Sequence, residues 1–488
     1  MERLGVRALE TLPSHVDVPG YLGDDLRIGI VHFGVGNFHR SHQAMYVDRL
    51  LEAGAGDDWA ICGVGLLERD APMRDALAAQ DCLFTLTLRE PDGQDRFSVI
   101  GSIRRYLYAP DDPAAVLEQL VSPDVRIVSL TVTEGGYVSD PTNGRLPQDD
   151  PLVAEEVADG FAHPRTAFGW IVAALRERRR RGIAPFTVMS CDNIQGNGRV
   201  ARASVEGVAR LADAELADWI GAEVAFPSTM VDRITPVTTQ ADVDRIAAGL
   251  GVQDLWPVAS EPFTQWVIED VFGAGRPPFE QVGALLVSDI DPYEAIKLRL
   301  LNGSHQALAY IGQLMGYTYV HDAVADPSVA AYVRAYMERE GAPTLEVPAG
   351  FDLAEYVDEL FVRFGNPHVQ DLLARLSVDA SNRIPKFVVP VLVDRVAAGA
   401  ACEVGAAIVA TWRAWCRGVG EGRFVIDDVA GDALVAAAAD EPLGFLRGVP
   451  TLTGFLDAPG FVDAYLRAVV ALERDGFEAF FEAVLAGE

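Results

Sequence analysis

The chain has 488 residues, half of them hydrophobic, and sets 71 acidic side chains against 40 basic ones, a formal net charge of −31. That length and apolar content suit two or three domains with large cores, and so negative a charge argues against nucleic acid and anionic membrane surfaces, which need clustered cations. The five cysteines (Cys62, Cys82, Cys191, Cys402 and Cys416) are odd in number and lack CxxC spacing, a pattern that fits a reducing compartment and neither a disulfide framework nor a zinc site.

The amino terminus shows no apolar stretch of signal-peptide length, and no window reaches the length of a membrane span. The expectation is a cytoplasmic protein with no membrane or nucleic-acid partner.

In chain order, "RIGIVHF" (27–33) reads as a buried strand. "GVGN" follows it, then a helix with Met45, Val47, Leu50 and Leu51 on its apolar face. "WAICGVGL" (59–66) is a second strand, and "CLFTLTLRE" and "DRFSVIGSI" flank "PDGQD" as a hairpin. "VRIVSLTVT" (125–133) and "PFTVMS" (185–190) are further continuous apolar strands with helical stretches between them. The basic run "RERRRR" (176–181) reads as a helix C-terminus, where cations suit the dipole. Buried strands alternating with helices indicate a mostly parallel sheet covered on both faces.

From about residue 292 strand signals thin out and Ala-, Leu- and Val-rich helical patterns take over, as in "PSVAAYVRAYMERE" and "AAIVATWRAWCRGV". The expected organisation is an α/β domain of Rossmann type over residues 1–287 and a mainly α-helical domain over 288–488.

"IVHFGVGNFHRSH" places Gly34 and Gly36 directly after the first strand and at the start of a helix. There glycine makes the tight turn and lets a pyrophosphate approach the backbone. His39 stands where a full GxGxxG pattern has its third glycine. The candidate cofactor segment is Gly34, Val35, Gly36, Asn37, Phe38, His39 and Arg40. After the second strand, "GLLERD" puts Glu68 and Asp70 where a ribose 2′-hydroxyl is bound, and a carboxylate there favours NAD over NADP. Either acid could instead serve a helix start. His32, His39 and His42 lack a carboxylate or cysteine at ligand spacing, so no metal is expected.

Of the 40 cationic side chains only two are lysines, Lys297 and Lys386. A lysine can lose its proton when desolvated, whereas arginine keeps its own. Lys297 lies in "YEAIKLRLLNGSH". On an α-helix, with Lys297 at zero, His305 falls near ~80° and Asn302 near ~140°, so all three project from one half of the helix. An amine, a carboxamide and an imidazole among leucines make poor structural filler, but they suit alcohol oxidation. A neutral amine takes the hydroxyl proton and carboxamide N–H groups hold the developing alkoxide. Asn193, in "VMSCDNIQGNG", sits just past the carboxyl end of the 185–190 strand, the usual ligand edge of such a sheet. It could equally be a turn asparagine.

"HFGVGNFHRSHQ", "TVTEGGY", "SCDNIQGNG", "FPSTMVDRITP", "EPFTQWVIED" and "KLRLLNGSH" together resemble the polyol-specific long-chain dehydrogenases, the mannitol dehydrogenases most of all. The likeness runs in matching order from about residue 25 to beyond 460. It implies a zinc-independent, NAD-dependent enzyme, of a kind often monomeric, that interconverts D-mannitol and D-fructose. By the same resemblance Lys297 is the base, Asn193 and Asn302 hold the oxyanion, and His305 binds substrate hydroxyls. Asp232, which could instead pair with Arg233, lines the substrate site with Arg375 and Arg383. Glu294 guides the proton outward, unless it is a surface partner one turn away. Lys386 is left unassigned. The rival substrates are D-arabinitol, sorbitol and a sugar acid such as fructuronate. A dinucleotide-binding regulator is the rival of another class, and it has no need of a base.

Overall fold

In the computed structural model, which describes residues 1–23, 25–139 and 146–486, the first apolar run forms the middle of a five-stranded parallel sheet. We label its strands β1 (Ile28–Phe33), β2 (Ala60–Gly65), β5 (Ile103–Tyr108), β6 (Ile127–Leu130) and β7 (Thr187–Ser190). The spatial order is β5-β2-β1-β6-β7, every neighbouring pair parallel. The order reverses between β1 and β6, so a crevice opens beyond the carboxyl ends of these two strands. Strands β1, β2, β6 and β7 are buried on both faces and need apolar side chains, which is why they read as runs without alternation, whereas β5, at the edge, is half-buried and carries Arg104 and Arg105.

The expected hairpin is present as β3 (Phe84–Arg89) and β4 (Asp95–Ile100), antiparallel from Phe84–Ile100 to Arg89–Asp95. A third sheet contains β8 (Thr229–Asp232) antiparallel to β10 (Gln265–Glu269), and β9 (Val258–Ser260) extends the hairpin sheet beside β3. Helices α1 (Asn37–Ser41) and α2 (Gln43–Glu52) follow β1, and α3 (Ala71–Ala79) follows β2. Helix α4 (Pro113–Val121) precedes β6, α5 (Ala167–Arg181) precedes β7, and α6 (Asn197–Ala212) follows it. The arginine run does close α5, ahead of Gly182 in the left-handed region. Part of the run is engaged internally: Arg180 and Arg181 pair with Glu177, and Arg178 donates to the carbonyls of Leu120, Ser122 and Ala184.

The chain divides into two units, residues 1–290 and 291–488. The second is helical and is organised on α10 (Glu403–Gly420), buried all round its girth by Ile408, Trp412, Trp415 and Cys416. The buried Glu340 carboxylate holds the start of this helix by accepting the N–H groups of Val404 and Gly405 at 2.7 and 2.8 Å. Packed against α10 is a helix in three parts: α7 (Asp291–Ile296), a π-turn (Lys297–Asn302) and α8 (Gly303–Leu314). Trp415 Nε1 donates to Gln313 Oε1 at 3.2 Å and its ring lies 5.8 Å from that of Tyr310, which fixes α8.

A second π-turn, Tyr336–Gly341, packs against the first. The two approach closely because glycines stand at the contact. A Cβ on Gly341 would lie 2.7 Å from Leu300 Cδ2, and one on Gly303 would run into the Tyr336 hydroxyl. Helix α9 (Ala380–Phe387) carries Arg383 and Lys386.

Candidate active site

In the first unit the turn after β1 has the shape the glycines predict. Gly34 adopts φ +91°, and a Cβ there would run into the Thr131 carbonyl, so the loop after β6 leaves room for no side chain at this point. Gly36 is exposed, and a Cβ on it would approach nothing nearer than the Gly34 oxygen at 3.8 Å. That is open backbone at the mouth of the β1–β6 crevice, where a pyrophosphate could lie.

Val35, His39 and Arg40 are buried beneath the turn, while Asn37 and Phe38 are half-buried. Arg40 donates to the Trp256 carbonyl and, at 2.8 Å, to Asn37 Oδ1. His32 reaches Ser129 Oγ (2.8 Å) and Thr131 Oγ1 (2.9 Å), and the His39 ring stacks on it at 3.5 Å. Burial pushes the His32 imidazole down to about 3, so it is a neutral brace. His42 turns Nε2 to the Gln265 carbonyl at 3.0 Å. Among the described residues no cluster of three or more His, Cys, Asp or Glu could hold a metal ion, and no helix is long and apolar enough to cross a membrane.

After β2, the two acids have different surroundings. Asp70 Oδ2 accepts the N–H groups of Leu66 and Leu67, both at 2.9 Å, and so closes the turn. Glu68 is exposed at the carboxyl end of the sheet.

Beyond β7, Asn193 is exposed and its neighbour Asp192 is buried. Asp192 accepts from Thr133 N at 2.8 Å, Val132 N at 3.1 Å and the Tyr137 hydroxyl at 2.8 Å. The Asn197 carboxamide donates to the Asp192 carbonyl (2.9 Å) and the Thr229 carbonyl (2.7 Å), and accepts from Thr229 N (2.9 Å). Thr133 has φ +63° and ψ 168°, a region nearly reserved for glycine, at a cost of about 1–3 kcal/mol. Asp232 is the last residue of β8 and is buried. Arg233 donates to the carbonyls of Ser41, Glu261 and Pro262.

In the second unit, Lys297 and Asn302 begin and end the π-turn, with 6% and 7% of their surfaces exposed. Here the structure corrects the α-helical angles. A π-turn bonds residue i+5 to residue i, so residues five apart stack on one face instead of standing ~140° apart. His305 follows on α8, its ring 5.0 Å from Phe364, and Glu294 lies on α7 one turn before the lysine, buried. Arg375 is held by two bonds to Asp371, at 2.7 and 2.6 Å. Arg383 donates to the carbonyls of Arg375 and Leu376 at 3.1 and 3.2 Å, and Lys386 is exposed.

Reading from sequence missed Asp192, Asn197 and the π-turn. The motif "SCDNIQGNG" contains the first two, but polar residues in a glycine-bearing turn look like solvent-facing ones.

Residues 28–281 match the mannitol dehydrogenase Rossmann domain, and residues 289–442 the mannitol dehydrogenase C-terminal domain. Mannitol 2-dehydrogenase of Phaeosphaeria nodorum is 43% identical over 473 residues, 96% of this chain and 83% of that protein. A mannitol dehydrogenase of Saccharomyces cerevisiae is 42% identical over 442 residues, 89% of this chain and 87% of its own. Among solved structures, the Pseudomonas fluorescens mannitol 2-dehydrogenase ternary complex with NAD and D-mannitol is 42% identical, with a TM-score of 0.88 and 100% of both chains covered. A D-sorbitol dehydrogenase in substrate-free form is 36% identical, with a TM-score of 0.91 over 99% of this chain and 100% of that one. The chain belongs to the mannitol dehydrogenase family.

Proposed function

We propose that the protein oxidises D-mannitol at C2 to D-fructose with NAD, and catalyses the reverse reduction, without a metal. The observation that carries this reading is the buried π-turn with an amine at one end and a carboxamide at the other. The relatives named mannitol 2-dehydrogenase support the choice of polyol.

The residues present suit NAD. The open backbone at Gly36 admits a pyrophosphate, and the exposed Glu68 offers a carboxylate to a ribose diol while repelling a 2′-phosphate. When bound, NAD supplies the hydride acceptor.

The protein's own part is to move a proton and stabilise charge. Lys297 Nζ, neutral before the reaction, accepts the proton of the C2 hydroxyl as hydride departs from the same carbon. The carboxamides of Asn302 and Asn193 donate to the oxygen as its negative charge grows. His305, Asp232, Arg375 and Arg383 engage the remaining hydroxyls, and Glu294 relays the proton from Lys297 towards water. Arg375, already paired with Asp371, offers little net charge to a carboxylate, which favours a neutral polyol over a sugar acid. The reading takes the enzyme to be a cytoplasmic monomer, on the family resemblance and the scattered cysteines.

D-sorbitol is the second reading, favoured by the likeness to a D-sorbitol dehydrogenase. Following NADH absorbance with mannitol, sorbitol, arabinitol and fructuronate in parallel tests the assignment. Mannitol should give the highest kcat/KM, and exhaustive chelation followed by desalting should leave turnover unchanged. Activity lost to the chelator and restored by zinc overturns the lysine mechanism.

A further inference from the structure

We propose that Asp192 is a positioning residue: its buried carboxylate clamps the loop after β6 to the end of β7 and so sets the direction in which Asn193 leaves the sheet. This rests on the role given to Asn193 above.

The clamp is a closed circuit. Asp192 N–H donates to Ser190 Oγ at 3.2 Å, Ser190 Oγ lies 2.5 Å from the Tyr137 hydroxyl, and that hydroxyl donates back to Asp192 Oδ2 at 2.8 Å. The two carboxylate oxygens also accept consecutive backbone N–H groups, Val132 on one and Thr133 on the other. A threonine at φ +63° keeps such a conformation only where its surroundings over-determine it, and these two bonds do so. The residue before them, Thr131, turns its carbonyl to the space above Gly34 and donates its hydroxyl to the Gly34 oxygen at 2.6 Å. The chain of contacts therefore runs from the glycine turn through Thr131 and Thr133 to Asp192, and the next residue is Asn193. From the other side, Asn197 ties the Asp192 carbonyl to Thr229 at the start of β8, the strand that ends at Asp232.

The clamp needs the ionised form, because both oxygens are acceptors. Burial pushes the Asp192 carboxyl up to about 6, while bonds from Tyr137, Thr133 and Val132 pull the other way. Other titratable groups face it. Tyr137 is held well above its ordinary value by burial and by Asp192, and burial pushes Cys191 up to about 12, so neither changes charge near pH 6. Glu134, on the loop itself, also faces it.

Reduction of D-fructose by NADH isolates this ionisation, since acid favours the protonated Lys297 that this direction requires. The wild-type rate should fall below about pH 6, and Asp192→Asn should be slow at every pH without that fall. Its kcat should drop on the order of tenfold to a hundredfold, as expected for a displaced donor. Glu134→Gln should keep the acid limb. Tyr137→Phe, which removes one bond to the carboxylate, should move the limb to higher pH and serves where Asp192→Asn does not fold.

Hydrogen exchange of the 131–138 peptide reads the clamp without turnover, and should quicken in Asp192→Asn and in Tyr137→Phe. Wild-type protein idle on mannitol with NAD refutes the assigned function, whereas unaltered exchange in the variants refutes the clamp. An active wild type whose Asp192→Asn variant keeps the acid limb and a kcat within about twofold also overturns the proposal, because a displaced Asn193 should cost far more.

Discussion

Lys297 and Asn302 are the two ends of one π-turn, so an amine and a carboxamide five residues apart lie on a single helical face. A regular α-helix would separate them by ~140°. The wide turn sets an amine and a carboxamide on one side of the helix, the arrangement on which the proposed proton transfer rests.

If Lys297 is the base, it must be neutral at working pH, and burial disfavours the ammonium. Mannitol oxidation should rise with pH through one ionisation that vanishes in Lys297→Ala. That variant should lose roughly 10²–10⁴ in kcat, part of it recovered by small primary amines. Lys297→Arg should be no better than alanine, because guanidinium does not accept the proton. Near wild-type turnover in the arginine variant would assign the base elsewhere.

Gly303→Ala tests the seat of the π-turn. The new methyl would meet the Tyr336 ring and hydroxyl, and its nearest ring carbon would lie 2.8 Å away. Overpacking of this kind costs about 1–3 kcal/mol, and Asn302 next door should be displaced with it. We expect a lower melting temperature and a larger fall in kcat than in the affinity for NAD. Tyr336→Phe added to it should restore part of both. An alanine variant as stable and active as the wild type would mean that the two π-turns tolerate separation.

Glu68 and Asp70 should separate in their effects. Glu68→Gln should raise kcat/KM for NADP roughly tenfold by removing a charge that repels the 2′-phosphate, with little change in stability. Asp70→Asn should loosen the turn at Leu66 and Leu67 and weaken both cofactors alike. Equal use of NADP and NAD by the wild type would contradict the assignment of Glu68.

Glu340 gives a pH-dependent stability. Burial raises its carboxyl from 4.5 to about 7 in the folded chain. Between those values the folded state holds the proton and the unfolded state has released it, so this group's contribution declines as pH rises from about 4.5 to 7. The decline amounts to about 2–3 kcal/mol. Glu340→Gln, permanently neutral, should flatten that part of the profile. Parallel melting curves for the variant and the wild type across this range would refute it.

Much of this architecture could be read from residue order. The runs "RIGIVHF" and "PFTVMS" announce buried parallel strands because both faces need apolar side chains. The loss of such runs after residue 292 announces the helical unit. The π-turn could not be read, because "KLRLLN" has no composition that distinguishes i+5 from i+4 bonding, and the second π-turn it packs against lies further along the chain. Nor could the different fates of Glu68 and Asp70 be read, since which acid closes a turn depends on two backbone N–H groups rather than on side-chain type.

The scarcity of lysine has a practical consequence. An amine-reactive dye or a coupling resin meets only two lysine side chains in the whole chain, Lys386 in the open and Lys297 enclosed. Apart from the α-amino group, gentle conjugation therefore has one address, on a helix of the second unit. Once the α-amino group is blocked, one-point labelling for single-molecule work or oriented immobilisation needs no engineered handle. With the α-amino group blocked, a second equivalent of label taken up under harsher conditions, together with loss of turnover, would report on the enclosed amine.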